Sequence, residues 1–109
     1  IRPYIDLRKK DDLDLMEHIM IHVSNLVLAH GGSMSGEHGD GLIRSWLNEK
    51  MFGTEIFEAF KKFKEAFDPK NLMNPGKIVH PHNLKEDLRL DPTTPIKEIP
   101  TFLDFSEEG

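Results

Sequence analysis

A chain of 109 residues has room for one domain at most. Its composition, 38% hydrophobic and 30% charged, is typical of a globular protein rather than of a disordered or membrane-spanning one. The absence of cysteine excludes a disulfide or an iron–sulfur site within the chain. A net charge of -5 argues against nucleic-acid binding, and no apolar run is long enough to form a transmembrane segment.

The N-terminal residues, Ile1 to Leu7, predict a strand because they are rich in β-branched and aromatic side chains. Because of Pro3, this segment can only be the start of a strand or a strand at a sheet edge. The chain shows neither an initiator methionine nor a signal-peptide pattern, so we interpret it as a piece of a longer protein. We expect a cytoplasmic location, with peripheral attachment to a membrane as the alternative.

A first amphipathic helix is predicted from Leu13 to about His30, where apolar residues recur at the i, i+3, i+4, i+7 spacing. Asp11 or Asp12 is its predicted N-cap, and Gly31 is its predicted left-handed C-cap. The predicted buried face consists of Met16, Ile19, Met20, Val23, Leu26 and Val27.

Three histidines lie on this helix. His18 and His22 are four residues apart and lie on the same side of the helix, so they could bind one metal ion together. Their position on the polar side of the helix favours ordinary surface histidines instead. His30 falls in the last turn, where an imidazole caps the helix and offsets its dipole.

Two further helices are predicted. Asp40 is the expected cap of a short one from Leu42 to about Met51, with Ser45 turned away from its apolar side. Thr54 is the expected N-cap of the next helix, which Asp68-Pro69 ends. Its apolar stripe is predicted to pack in the core and consists of Ile56, Phe60, Phe63 and Phe67.

The remaining residues predict little regular structure. Asn71 to Lys77 form a turn rich in Asn, Pro and Gly, and Ile78-Val79 predict a short strand. Beyond His80 four prolines indicate an extended segment that crosses to a neighbour, where Thr101 to Phe105 pack or pair.

A glycine loop, residues 31–41, holds five glycines, two serines and three ionisable side chains between two predicted helices. Glu37 and His38 supply a carboxylate and an imidazole, the usual groups of metal ligation and proton transfer. In an extended backbone adjacent side chains point to opposite faces, so one would bind a cation and the other would transfer a proton, unless the glycines turn the chain sharply.

Two alternatives compete with this site. In the first, Glu37 caps the next helix and His38 is simply exposed, and spacing alone leaves this open. The second is a phosphate loop, which is disfavoured because the Lys-Ser/Thr ending is missing and Glu37 and Asp40 repel phosphate.

Three motifs follow one another along the chain: Ser35-Gly36-Glu37-His38-Gly39-Asp40-Gly41, Phe67-Asp68-Pro69 and Leu72-Met73-Asn74-Pro75-Gly76-Lys77. In this order they resemble the C-terminal part of FAD-linked oxidases of the vanillyl-alcohol oxidase superfamily, above all the D-lactate, glycolate and D-2-hydroxyglutarate dehydrogenases. The resemblance covers Ile1 to Val79 and implies an α+β fold, namely a mainly helical fragment of a ferredoxin-like cap domain. Residues 80–109 would then connect to a following domain.

The resemblance implies roles for four residues. Glu37 would be a ligand of a divalent cation, zinc or manganese, which holds a small 2-hydroxy acid. His38 would take the hydroxyl proton while hydride passes from the α-carbon to FAD. Asn74 and Lys77 would lie in a turn near the FAD-binding domain and contact the cofactor. Two further metal histidines of the family belong to an upstream Gly-Asp-Gly-Asn-x-His segment that this chain does not contain.

The leading hypothesis is a fragment of an FAD-dependent D-2-hydroxy-acid dehydrogenase, inactive by itself because the flavin domain is missing. The tail resembles the connector of fused enzymes that continue into an iron–sulfur domain. The alternatives are a non-catalytic helical interaction module and part of a metal hydrolase.

Overall fold

A computed structural model of the protein describes residues 3–86 and 88–95. The fold in these ranges is mainly helical. It consists of α1 (Lys10–Ala29), α2 (Gly41–Arg44), a 3-10 turn (Ser45–Leu47), α3 (Asn48–Phe52) and α4 (Thr54–Phe67). Neither range contains a strand, so the strand component of the predicted α+β fold is absent from the part of the chain that the structure describes.

The predicted N-terminal strand is wrong for residues 3–7, while Ile1 and Arg2 lie outside the described residues. A strand requires a neighbouring backbone to complete its hydrogen bonds, and no other described segment provides a strand edge. The backbone N–H of Asp6 instead donates to the Asp12 carboxylate at 2.8 Å. Residues Ile78-Val79 are not a strand either, because Ile78 has a left-handed φ of 66°.

The first helix is confirmed, although α1 begins at Lys10 with Lys9 as its N-cap. The predicted Asp caps are therefore wrong, because both residues lie in the first turn. At the other end Gly31 has φ 65°, the left-handed conformation predicted for it. The ring Nδ1 of His30 lies 2.9 Å from the Leu26 carbonyl oxygen and caps the last turn.

The second predicted helix is broken into α2, the 3-10 turn and α3. Ser45 is fully buried rather than turned away. Its hydroxyl donates to the Gly41 carbonyl oxygen, one turn back along the chain. Gly53, with φ 79°, then separates α3 from α4.

The third predicted helix is confirmed as α4 and ends before Asp68, but its N-cap is Gly53. The predicted burial of its phenylalanine stripe is wrong within this chain: Phe63 is 69% exposed and Phe67 is 70% exposed. Phe57 is the buried aromatic residue of α4. Helices α3 and α4 meet through an edge contact of Phe52 with Phe60, whose ring centroids are 5.3 Å apart.

The buried apolar side chains come from distant parts of the sequence, from α1 to the segment after α4. Among the described residues, no helix combines the length and the hydropathy needed to cross a membrane. The predicted packing of Thr101 to Phe105 lies outside the described residues. The buried apolar side chains are Leu13, Leu47, Phe57, Val79 and Leu84.

Candidate functional site

The glycine loop between α1 and α2 turns sharply at residues 36–38, where the backbone forms consecutive bends. Gly39 follows with a left-handed φ of 74°, a conformation that glycine adopts without steric cost. The bends place Glu37 Oε1 2.9 Å from His38 Nε2. The chain therefore turns sharply here, which is the exception that the sequence left open, and the two adjacent side chains contact each other.

Both side chains remain open to their surroundings. The Glu37 side chain is 85% exposed and the His38 side chain is 73% exposed. A pair so accessible can reach a ligand or another part of a larger protein. The N-cap of α2 is Asp40, as predicted, but its side chain makes no capping hydrogen bond.

The donor groups for a metal are incomplete in the described part of the chain. No group of three or more His, Asp or Glu side chains there could hold one ion. Zinc in proteins has three or four protein ligands, so Glu37 could supply only a share of such a site. His18 and His22 are exposed on α1, in agreement with their interpretation as surface residues.

The turn carrying Asn74 and Lys77 lies beside the end of the glycine loop. Both residues line a groove of about 490 Å³ together with Gly41, the last residue of that loop. The Lys77 ammonium group is 3.5 Å from the Asn74 side-chain oxygen. The groove is walled largely by apolar side chains, including Phe63 and Phe67 of α4.

Asp68 fixes this turn to the end of α4. Its carboxylate accepts hydrogen bonds from the backbone N–H groups of Leu72, at 2.9 Å, and Met73, at 2.8 Å. The Lys64 ammonium group donates to the same carboxylate. This hydrogen bond from Lys64, followed by those from the two backbone groups, lowers the pKa of Asp68 below its ordinary value.

Two buried polar residues missed by the sequence analysis hold the far end of the turn. The backbone N–H of Ile78 donates to Ser45 Oγ at 2.9 Å, and Asn48 Nδ2 donates to the Ile78 carbonyl oxygen at 3.2 Å. Ser45 and Asn48 are both buried. Their spacing of three residues is the signal that could have found the pair, since i and i+3 share one side of a helix.

Comparison with known proteins identifies the family. The family described as "FAD linked oxidases, C-terminal domain" matches residues 1–78. The chain belongs to this family. No solved structure gives a significant match.

Curated relatives of this FAD-linked oxidase domain are dehydrogenases and an oxidase subunit. The D-2-hydroxyglutarate dehydrogenase of Haemophilus influenzae is 40% identical over 88 residues, which are 81% of this chain and 8% of that protein. The glycolate oxidase subunit GlcD of Bacillus subtilis is 36% identical over 73 residues, 67% of this chain and 16% of that protein. The mitochondrial D-lactate dehydrogenase [cytochrome] of Arabidopsis thaliana is 34% identical over 74 residues, 68% of this chain and 12% of that protein. The chain thus spans a small part of the length of these relatives.

Proposed function

We propose that the chain contributes one wall of the active site of an FAD-dependent dehydrogenase that oxidises a small D-2-hydroxy acid. The observation that carries this proposal is the exposed Glu37–His38 pair, joined at 2.9 Å on a glycine loop of an FAD-linked oxidase domain. The relatives support the substrate class, since they are named as dehydrogenases of D-2-hydroxyglutarate and D-lactate.

In the proposed reaction FAD supplies the acceptor for the hydride that leaves the α-carbon of the hydroxy acid. The hydroxyl proton goes to His38, and the carbon becomes the carbonyl of a 2-oxo acid. With Nε2–H donated to Glu37, the lone pair of His38 lies on Nδ1, which is the proposed proton acceptor. Glu37 holds the ring in this orientation, so the chain positions a general base.

Glu37 is also proposed as one ligand of a divalent cation, zinc or manganese. Its Oε1 contacts His38, and the second oxygen of an exposed carboxylate is available for a cation. The other ligands would come from elsewhere in the full-length protein, because the described residues lack a complete site. An iron–sulfur domain in the full protein stays a prediction, since these 109 residues contain no cysteine.

Asn74 and Lys77 are proposed to face the FAD-binding domain of the same protein. Their turn borders the groove that also contains the exposed rings of Phe63 and Phe67. Exposed apolar patches of this kind mark surfaces that pack against another protein unit. The boundary between this domain and a connector at residues 79 and 80, and the cytoplasmic location, stay predictions.

The full-length protein tests the proposal by anaerobic mixing with D-2-hydroxy acids while the flavin absorbance is followed. We expect bleaching in the wild type and a rate of flavin reduction lowered by about 10²- to 10⁴-fold in His38→Asn, with far less change in substrate affinity. His18→Asn, at an exposed position on α1, is the matched control and should match the wild type.

Several outcomes would count against this function. A loss of substrate affinity without a slower reduction would make His38 a binding residue. A full-length protein that holds no flavin but forms a stable protein complex would favour an interaction module. Metal-dependent hydrolysis without flavin would favour a hydrolase.

A further inference from the structure

We propose that Ser45 is a positioning residue that joins the glycine loop carrying Glu37 and His38 to the turn carrying Asn74 and Lys77. The proposal rests on the proposed function, because it assigns the two segments to one active site. Neither Glu37 nor His38 is among the hydrogen-bond partners of Ser45 described above. Ser45 would act on the pair through the backbone of the glycine loop.

One hydroxyl group makes the connection. Ser45 Oγ donates to the carbonyl oxygen of Gly41, which is both the last residue of the glycine loop and the first residue of α2. Ser45 Oγ also accepts a hydrogen bond from the backbone N–H of Ile78 at 2.9 Å, and these two residues are 33 positions apart in the sequence. Ser45 is fully buried, so water does not compete for either bond.

The backbone at Ile78 depends on this contact. A φ of 66° is unfavourable for a β-branched residue and persists only where its surroundings hold it. Ser45 binds the N–H of Ile78, and Asn48 binds its carbonyl oxygen. Loss of the Ser45 hydroxyl releases the N–H and allows the end of the turn to relax, one residue after Lys77.

The glycine loop depends on the same neighbourhood. Arg44 Nη1 donates to the Gly39 carbonyl oxygen at 2.9 Å, directly after His38, and Ser45 holds the Gly41 carbonyl oxygen. Glycines have the largest backbone freedom, so these two bonds limit where the pair can lie. Ser45 therefore contacts both the end of the loop and the residue that directly follows the turn.

The chain offers a matched control in Ser24, a second fully buried serine. Its hydroxyl donates to the Ile21 carbonyl oxygen at 2.7 Å and accepts from Lys50 Nζ at 2.6 Å. These partners lie on α1 and α3 rather than in the loop or the turn. Ser24→Ala therefore removes a buried hydroxyl of equal size without touching the proposed connection.

The experiment uses the full-length flavoprotein in the wild-type, Ser45→Ala and Ser24→Ala forms. Hydrogen–deuterium exchange is measured by mass spectrometry in peptides covering 36–41 and 74–80, and flavin reduction is measured anaerobically. We expect Ser45→Ala to raise exchange in both peptides and to slow flavin reduction by about 10- to 100-fold, since small misplacements of reacting groups cost about that much. The KM of Ser45→Ala should change less than its kcat. Ser24→Ala should neither raise exchange in the two peptides nor slow flavin reduction.

Each result has a definite meaning. Unchanged exchange in either peptide of Ser45→Ala, or an equal rise in Ser24→Ala, would overturn the connection. Raised exchange in both peptides with wild-type flavin reduction would overturn the positioning role. If Ser45→Ala fails to fold, Ser45→Cys, which has similar size and a weak hydrogen-bonding group, is judged by the same criteria. A wild type that no D-2-hydroxy acid reduces would contradict the proposed function, while the exchange comparison would still decide the connection.

Discussion

Glu37 and His38 hold each other at 2.9 Å while most of each side chain remains accessible. The carboxylate thereby fixes one ring nitrogen of His38 and leaves the other free. A general base needs this kind of orientation, because the nitrogen that accepts the proton must face the substrate. At the scale of residues the chain thus presents an exposed carboxylate–imidazole pair, the arrangement that the proposed general base requires.

Glu37→Gln tests the carboxylate directly. The amide keeps the size of the side chain but loses its negative charge, so the proposed role predicts that the full-length protein loses the proposed divalent cation and most of its turnover. The loss of metal affinity should exceed the roughly 10- to 100-fold that is typical of residues outside the ligand set. Metal content per flavin and turnover are the measurements, and Glu55→Gln, at an exposed glutamate in the first turn of α4, is the control. Full metal content with full turnover would remove Glu37 from the site.

At the scale of elements, local pattern located the two long helices. In α1 and α4 the apolar residues recur at helical spacing, and this signal depends only on residues three and four apart. The same pattern identified an apolar face without identifying what covers it. Phe63 and Phe67 were therefore expected in the core but are exposed in this chain, whereas Phe57 is buried.

The features that sequence analysis missed depend on distant partners. Ser45 is polar and was predicted to turn away from the apolar side of its helix, but its partner Ile78 lies 33 residues away. The strand predicted for Ile1 to Leu7 needs a second strand, which the described residues do not provide. The types of the site residues Glu37 and His38 could be chosen from sequence, but their contact depends on bends that spacing does not determine.

Asp68 governs how α4 ends, and its charge makes this junction sensitive to pH. The Lys64 ammonium group and two backbone N–H groups favour the carboxylate, so the pKa of Asp68 in the folded protein lies below the ordinary value of 3.8. A depressed carboxyl pKa stabilises the fold above the unfolded pKa, and this stability is lost as the pH falls through the folded pKa.

We therefore expect Asp68→Asn to lower the Tm at pH 7 and to flatten the dependence of Tm on pH below about 4. The asparagine cannot pair with Lys64 and offers one acceptor oxygen to the two backbone donors. Thermal melts across the acid range measure both effects, with Asp11→Asn, at an exposed residue in the first turn of α1, as the control. Parallel melting curves for Asp68→Asn and the wild type at every pH would contradict the assignment.

At the scale of the molecule, the segment after the turn returns to the first helix. Lys85 Nζ lies 2.6 Å from Asp14 and 2.8 Å from Glu17, both on α1. The preceding residue, Leu84, is only 2% exposed. The extended connector predicted from residue 80 onward thus begins with residues that pack against the helical part of the chain.

Leu84→Ala decides whether this packing belongs to the folded unit or lies on a separable connector. Truncation of a fully buried leucine should lower the free energy of unfolding by about 2–5 kcal/mol, because it removes apolar contacts and leaves a cavity. Leu90→Ala, at a residue that is 43% exposed, should change it by no more than about 0.5 kcal/mol. Urea denaturation, monitored by circular dichroism, measures the free energy of unfolding of both variants. Equal stability of Leu84→Ala and the wild type would place the end of the domain near residue 79. The expected loss of stability would instead place the end of the domain beyond Leu84, so that the start of the tail packs as part of the folded unit and supports α1.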